Sequence, residues 1–159
     1  MDEDKATKEL PSYAEDTAEE LLDQARSNAQ ATIIATIAFL EERGIPVADW
    51  TAALGRAFGR AWEEPEPWEA GEFLDAMLTN FRALGARVVY ADLTPGRAEA
   101  TTTGFPDPEL CTLFDVSPAR VAAFNDVPVS LASDRSLIWG WTRQGDETFY
   151  VVRRTIPDP

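Results

Sequence analysis

The chain has 159 residues, 45% of them hydrophobic, and a formal net charge of −14, which fits one globular domain and excludes wholesale disorder. The charge is uneven, because residues 1–85 hold 7 Lys and Arg against 18 Asp and Glu, whereas residues 86–159 hold 7 against 10. Such an acidic surface repels phosphate backbones and anionic lipid, so we expect no nucleic-acid partner and no membrane partner.

The composition also predicts a cytoplasmic protein. A single cysteine permits no internal disulfide, which favours a reducing compartment. The first residues, MDEDKATKEL, are acidic and lack the apolar core of a secretory signal. The most apolar run, residues 31–40, is too short to span a bilayer.

Three helices are predicted for residues 13–85, after a polar tail at residues 1–12. The first starts at a capping box around Ser12 or Thr17 and ends near Arg43, because glycine and proline follow. Its later part, Ile33–Leu40, is apolar all round, which indicates a central helix or a dimer face.

The second helix fits residue 47 or 49 to residue 64, and the third fits residue 68 or 69 to residue 84. Trp50, Leu54 and Phe58 lie at helical spacing and mark the buried side of the second helix. Gly55 and Gly59 each cost about 1 kcal/mol relative to alanine in a helix. We therefore expect a close approach there, and favour helix packing over ligand contact. The run between the helices, residues 63–67, reads as an acidic, proline-containing connector.

In residues 86–155 the hydrophobic residues change from helical spacing to alternation with a period of two, which is typical of strands. The sequence predicts a hairpin with strands at residues 87–93 and 98–103, and a final aromatic hairpin over residues 136–154. Two short helices lie between them, opened by Asp107-Pro108 and Ser117-Pro118. Residues 127–134 are expected to be extended, and residues 156–159 form a tail. The predicted fold class is a single α+β domain, with three N-terminal helices packed on an antiparallel sheet built from the two hairpins.

Several classes of catalytic site are excluded by absent residue types. The chain has no histidine, which removes Ser-His-Asp and Cys-His catalysis and histidine zinc sites. One cysteine cannot make a thiolate zinc site, and no glycine-rich phosphate loop is present. We therefore expect no metal and no cofactor, and the catalytic residues, if any, remain unknown.

The titratable candidates are Cys111, Asp115 and Asp146. Cys111 lies one helical turn before Asp115, but a neighbouring carboxylate raises a thiol pKa, so a buried hydrophobe is the favoured interpretation. Asp146 follows Gly145 in the last hairpin, where acidic residues are usually turn formers.

The aromatic residues give a stronger indication of function. Gly140 lies between two tryptophans in the first strand of the last hairpin, and a glycine within a strand marks a bulge or a close approach. Aromatic walls with a few polar groups are typical of small-molecule pockets, although an aromatic core has the same composition. The candidate ligand-binding residues are Tyr90, Cys111, Phe114, Trp139, Trp141 and Tyr150.

The second half resembles a known family by pattern. Helices precede a hairpin, a short helix carries the cysteine in ELCTLFD (Glu109–Asp115), and the closing hairpin has a Gly-Asp turn in WTRQGDETFYVV. This order is similar to the 4-vinyl reductase-type small-molecule-binding domains and the L-2-amino-thiazoline-4-carboxylic acid hydrolase-like proteins. Those families often have a cysteine where this chain has Thr148 or Phe149. The resemblance implies a ligand-binding α+β domain, with a dimer left open.

Three functional hypotheses follow. The leading one is a binding or sensing domain for an apolar or aromatic small molecule. The second is a hydrolase of a small cyclic amide or imine-like substrate, using Cys111 or the carboxylates of Asp115 and Asp146. The third is a homo-oligomeric interaction module, with Ile33–Leu40 as the pairing face of a homodimer.

Overall fold

The computed structural model describes residues 16–62 and 67–155. The predicted terminal tails and most of the acidic connector lie outside the described residues. The described chain contains the α-helices α1 (Ala18–Glu42), α2 (Val47–Ala61), α3 (Ala70–Ala83), α4 (Pro108–Leu113), α5 (Pro118–Val121) and α6 (Pro128–Ser133). A 3-10 helix (Ala122–Asp126) joins α5 to α6, and the strands are β1 (Arg87–Leu93), β2 (Arg97–Thr103), β3 (Leu137–Gln144) and β4 (Glu147–Arg154).

Three helices begin at the capping residues that the sequence predicts. Thr17 accepts a hydrogen bond from the Glu20 amide, and the Glu20 side chain accepts one from the Thr17 amide, which completes a capping box at the start of α1. The Asp107 side chain caps α4 and the Ser117 side chain caps α5, each followed by proline.

The four strands form one antiparallel sheet in the order β1-β2-β4-β3. The two hairpins therefore meet through β2 and β4. The α3 helix packs on one face of this sheet, where Phe73 contacts Trp139 and Phe81 stacks on Tyr150. The predicted α+β class is confirmed, with the three N-terminal helices preceding the sheet.

The predicted extended segment at residues 127–134 is wrong, because Pro128–Ser133 form the helix α6. Proline occupies the first turn of α6, and Leu131 and Ala132 are buried. A helix of one and a half turns is too short to show a hydrophobic period. Its stability comes from packing on α2 and β3 rather than from local sequence.

The apolar stripe of α1 packs mostly inside the chain, although Phe39 is 50% exposed. Ile34 and Ile37 are fully buried, and Leu40 is nearly so. This burial counts against the hypothesis that Ile33–Leu40 pairs two copies of the chain. None of the described helices is long and apolar enough to cross a membrane.

Candidate functional site

An apolar cavity of about 660 Å³ opens between the three N-terminal helices. Its lining combines α1, α2 and α3 with the segment around α6: Ala29, Thr32, Ile33, Trp50, Leu54, Phe58, Trp62, Met77, Asn80, Phe81, Ala83, Leu84, Phe124, Val127, Pro128 and Leu131. This volume lies within the range of small-molecule sites, and such sites are mostly apolar with few polar groups.

The cavity exists because the apolar side of α2 is only partly covered. Within α2 only Thr51 and Gly55 are buried, while Trp50 and Leu54 are half-buried and Phe58 is 45% exposed. The sequence pattern places the same three apolar residues on the buried side of this helix. An exposed apolar stripe facing a gap is a surface that an apolar ligand can cover.

The position of α2 is fixed by a close helix contact on its other side. A Cβ atom added at Gly55 would lie 2.4 Å from the Val127 carbonyl oxygen and 2.6 Å from Ser130 Oγ. At Gly59 the nearest atom, Asp134 Oδ2, is at an ordinary 3.5 Å. Gly55 therefore allows α2 to approach α6, as the packing interpretation predicts, and α2 is held there while its apolar side stays open.

Aromatic rings support the cavity wall from behind. Phe124 contacts Trp50 with ring centroids 6.0 Å apart, and Trp62 stacks on Trp68 at 5.5 Å. The Arg135 guanidinium lies 4.8 Å from the Trp62 ring centroid and 5.6 Å from that of Trp68. Stacked rings and a guanidinium over their faces hold Trp62 in one orientation.

Arg135 is an unusual buried cation. It is 2% exposed, donates from Nη1 to the Leu131 carbonyl oxygen at 3.0 Å, and its Nε has no hydrogen-bond partner. No carboxylate of the described residues lies within ion-pair distance of it. Within the described part of the chain, the groups that stabilise its positive charge are therefore the two indole faces and the Leu131 carbonyl dipole.

Two polar side chains lie at the cavity. Asn80 donates from Nδ2 to the Ala76 carbonyl oxygen, and Thr32 donates from its hydroxyl to the Asn28 carbonyl oxygen. Neither acceptor oxygen accepts a side-chain hydrogen bond from another described residue, so Asn80 Oδ1 can accept one from a polar group on a ligand. No charged side chain lines the cavity among the described residues, so this site favours a neutral, apolar molecule.

Of the predicted ligand-binding residues, Trp139 and Tyr150 come together, in the core. Their ring centroids are 5.2 Å apart, and both rings contact Phe81, which itself lines the cavity. Trp139 Nε1 donates to the Asn125 carbonyl oxygen at 2.8 Å, and the Tyr150 hydroxyl donates to Asn125 Oδ1 at 2.9 Å. Burial raises the pKa of Tyr150 to about 12, although a hydrogen bond with Thr102 opposes it.

Trp141 adjoins this pair, opposite Tyr150 in the β3–β4 register, whereas Cys111, Phe114 and Tyr90 lie elsewhere in the fold. Trp141 is half-buried and donates from Nε1 to Asp126 Oδ1 at 2.7 Å. Phe114 is half-buried beside α1, and Tyr90 is 53% exposed on the edge strand β1. Among the described residues that line the cavity, none is one of the six predicted ligand-binding residues. Their role as ligand contacts stays a prediction.

Cys111 is completely buried in α4. Burial, followed by the Asp107 carboxylate, raises the pKa of its thiol, while Arg143 opposes this. A raised pKa favours the thiol over the reactive thiolate.

The candidate carboxylates stand apart from the cysteine. The α4 helix ends at Leu113, and Asp115 lies beyond it in the left-handed conformation, with φ of 53°. Asp146 is exposed in the turn between β3 and β4, beside Gly145. Among the described residues no cluster of three or more acidic or cysteine side chains is arranged to hold a metal ion.

A larger groove of about 1080 Å³ lies between α1, α3 and β1, but it is polar. Its lining carries charges of both signs: Asp23, Arg26, Asp75, Arg82, Arg87, Asp107 and Asp146. The buried amide in this groove, Gln30, donates to the carbonyl oxygens of Leu84 and Gly104 and accepts from the Asp107 amide. Because this side chain is used to join three chain segments, the groove is a weaker candidate than the cavity.

Comparisons with protein-family models, curated proteins and solved structures found no match to this chain. The resemblance to the 4-vinyl reductase-type domains therefore stays a prediction.

Proposed function

We propose that this chain is a binding or sensing domain for a small apolar or aromatic molecule, held in the cavity between α1, α2 and α3. The observation that carries the proposal is the uncovered apolar side of α2, which faces that cavity. A ligand there would complete the packing of Trp50 and Leu54, which the side chains of residues 16–62 and 67–155 leave half-buried. At about 25 cal/mol per Å² of apolar surface removed from water, such burial is a substantial driving force.

The ligand class follows from the lining. Indole and phenyl rings on several sides select a flat or bulky apolar body, and Asn80 offers one hydrogen-bonding position at its edge. A strongly charged ligand would find no opposite charge among the described lining residues. A neutral aromatic compound with a single polar substituent fits best.

A blocking substitution tests the proposal. Ala29 lines the cavity on α1, whereas Ala25 lies one helical turn earlier and is exposed. We expect Ala29→Phe to fill the cavity and weaken binding of the neutral fluorescent probe N-phenyl-1-naphthylamine by about tenfold or more. Ala25→Phe adds the same ring elsewhere on the helix and should leave binding unchanged.

Fluorescence titration of the purified full chain measures this effect, and thermal unfolding checks that both variants fold. Equal probe binding by the native chain and Ala29→Phe would contradict the proposal, as would an absence of binding by the native chain. Metabolites that displace the probe from the native chain would then identify the ligand.

The hydrolase alternative has no supporting observation at its candidate residues. The burial and raised pKa of Cys111 oppose its use as a nucleophile, and Asp115 and Asp146 are exposed. We therefore propose ligand binding without assigning a reaction.

A further inference from the structure

One face of the sheet is covered by no helix among the described residues. Along β3 and β4 the side chains alternate, so that Leu137, Trp139, Tyr150 and Val152 are buried against the helices. The opposite face carries Ile138, 48% exposed, together with the half-buried Phe149 and Val151. On the edge strand the same face carries Tyr90, 53% exposed. We call this surface, which carries Tyr90, Ile138, Phe149 and Val151, the open sheet face.

Strand pairing arranges the open sheet face in rows. Tyr90, Thr101, Phe149 and Thr142 form one row across the four strands, and Asp92, Glu99, Val151 and Gly140 form the next. Beyond the first row lie Glu147 and Gln144, and beyond the second lie Arg97, Arg153 and Ile138. The β4 and β3 half of the two central rows carries no charge, whereas the β2 and β1 half carries Glu99 and Asp92. Along β4 itself the face runs from Glu147 at one end to Arg153 at the other.

Charge on this face is nearly balanced, unlike that of the whole chain. The face carries Arg97 and Arg153 against Asp92, Glu99 and Glu147, with Arg87 at its edge, where that residue also lines the polar groove, whereas the chain has a net charge of −14. Two acidic copies of one chain repel least where their facing surfaces are neutral. Among the described residues Glu147 and Arg153 have no ion-pair partner within their own chain.

We propose that the open sheet face binds a second copy of this chain, sheet against sheet. A two-fold axis between the facing sheets, perpendicular to the strands and passing between the two central rows, brings each end of the face over the opposite end of its partner. Glu147 then faces Arg153 of the second copy, and the same pair repeats by symmetry. At the centre Phe149 faces Val151, and Thr142 faces Gly140, so large side chains meet small ones.

Gly140 has a role in this arrangement. The β3–β4 register continues through it without a bulge. Among the described residues a Cβ atom there would meet only the Val151 carbonyl oxygen, at 3.9 Å. The chain itself therefore does not require glycine at this position. The missing side chain leaves a shallow depression in the open sheet face that a facing side chain can enter.

The size of the face predicts a weak dimer. Strands of seven or eight residues at about 3.4 Å per residue, in four strands about 4.8 Å apart, give a face of roughly 25 by 19 Å. Two such faces bury on the order of 1,000 Å² in total, near the lower limit for a specific interface. Association should therefore depend on the concentration of the chain.

Sedimentation velocity of the full chain over a concentration series tests this inference. We expect a monomer–dimer equilibrium approaching twice the 17.5 kDa chain mass. Glu147→Arg and Arg153→Glu should each weaken dimerisation by about tenfold, since each places like charges opposite one another. The double variant Glu147→Arg/Arg153→Glu restores opposite charges and should recover dimerisation.

A pair of matched substitutions separates the sheet from the rest of the surface. Val151→Glu places a charge at the centre of the open sheet face and should leave the chain monomeric. Val129→Glu adds the same charge at a 48% exposed valine of α6 and should leave dimerisation unchanged. A native chain that stays monomeric at every concentration would overturn the inference. So would a dimer that survives Val151→Glu, or a double charge variant that fails to recover.

Discussion

Asn125 is the residue that connects the buried aromatic side chains of Trp139 and Tyr150 to the rest of the core. It is fully buried, its carbonyl and side-chain oxygens accept from Trp139 and Tyr150, and its Nδ2 donates to the Ala122 carbonyl oxygen. The polar tips of both aromatic residues are thereby satisfied inside the protein, as buried indole and phenol groups require. This packing offers a structural reason for an aromatic-rich hairpin.

The Tyr150 phenol should make stability fall at high pH. Its pKa is about 12 in the fold, against the ordinary tyrosine value of 10, so above pH 10 the unfolded chain releases a proton that the folded chain keeps. The stabilisation is therefore complete below pH 10 and is lost as pH rises toward 12, by at most about 1.4 kcal/mol per pH unit. Tyr150→Phe should remove this part of the pH dependence.

Urea unfolding at pH 8 and at pH 11 measures the difference. At the lower pH, Tyr150→Phe should cost about 1 kcal/mol, because Asn125 Oδ1 loses its donor. Native protein and variant showing the same loss of stability between the two pH values would contradict this assignment.

Residue-scale contacts of this kind were only partly accessible from the sequence. The caps at Thr17, Asp107 and Ser117 were predictable because a local pattern encodes them. The role of Asn125 was not, because its partners lie 14 and 25 residues away. No local pattern encodes a contact of that separation.

At the scale of elements, the contact of α2 with α6 determines how far the cavity opens. Gly55→Ala would place a methyl group against the Val127 carbonyl oxygen and push the two helices apart. We expect a loss of about 2–3 kcal/mol in the free energy of unfolding. The backbone of Val127 cannot rotate away as a flexible side chain can.

Gly59→Ala is the matched control, one helical turn later. Its methyl group makes an ordinary contact at 3.5 Å, and alanine improves helix propensity by about 1 kcal/mol. Stability should therefore stay level or rise. Chemical denaturation of the two variants measures the contrast, and equal effects of both substitutions would show that the close contact is not maintained in solution.

The helices and strands could be predicted from the sequence where the hydrophobic period and the capping residues indicate the same bounds. β1 has the predicted bounds, and the bounds of α3 differ from prediction by only one or two residues. The α6 helix escaped prediction because six residues do not reveal a period and its stability is tertiary. The aromatic side of α2 was recognised as apolar, but the pattern does not tell whether a protein side chain or a cavity lies against it.

At the scale of the whole molecule, helices cover one face of the sheet and the cavity lies on their far side. Phe81 joins the two regions, since it lines the cavity and also stacks on Tyr150. The sequence predicted the α+β class through its change of period. The strand order could not be predicted from the sequence, because the pairing of β2 with β4 joins segments about 50 residues apart. Which sheet face stays open follows from that order.

The two proposals concern opposite sides of the molecule and can fail separately. A chain that binds the probe as a monomer would keep the cavity proposal and overturn the dimer. A chain that dimerises and binds no probe would keep the dimer and overturn the cavity proposal.

Methyl-labelled NMR spectroscopy of the full chain, titrated with N-phenyl-1-naphthylamine, tests the central claim most directly. The cavity is lined by methyl groups of Ile33, Leu54 and Leu131, whereas Ile138 reports on the open sheet face. We expect saturable shifts of the three cavity residues and an unchanged Ile138 signal. Shifts confined to Ile138, or no shift at the cavity, would contradict the assignment of this cavity as the ligand site.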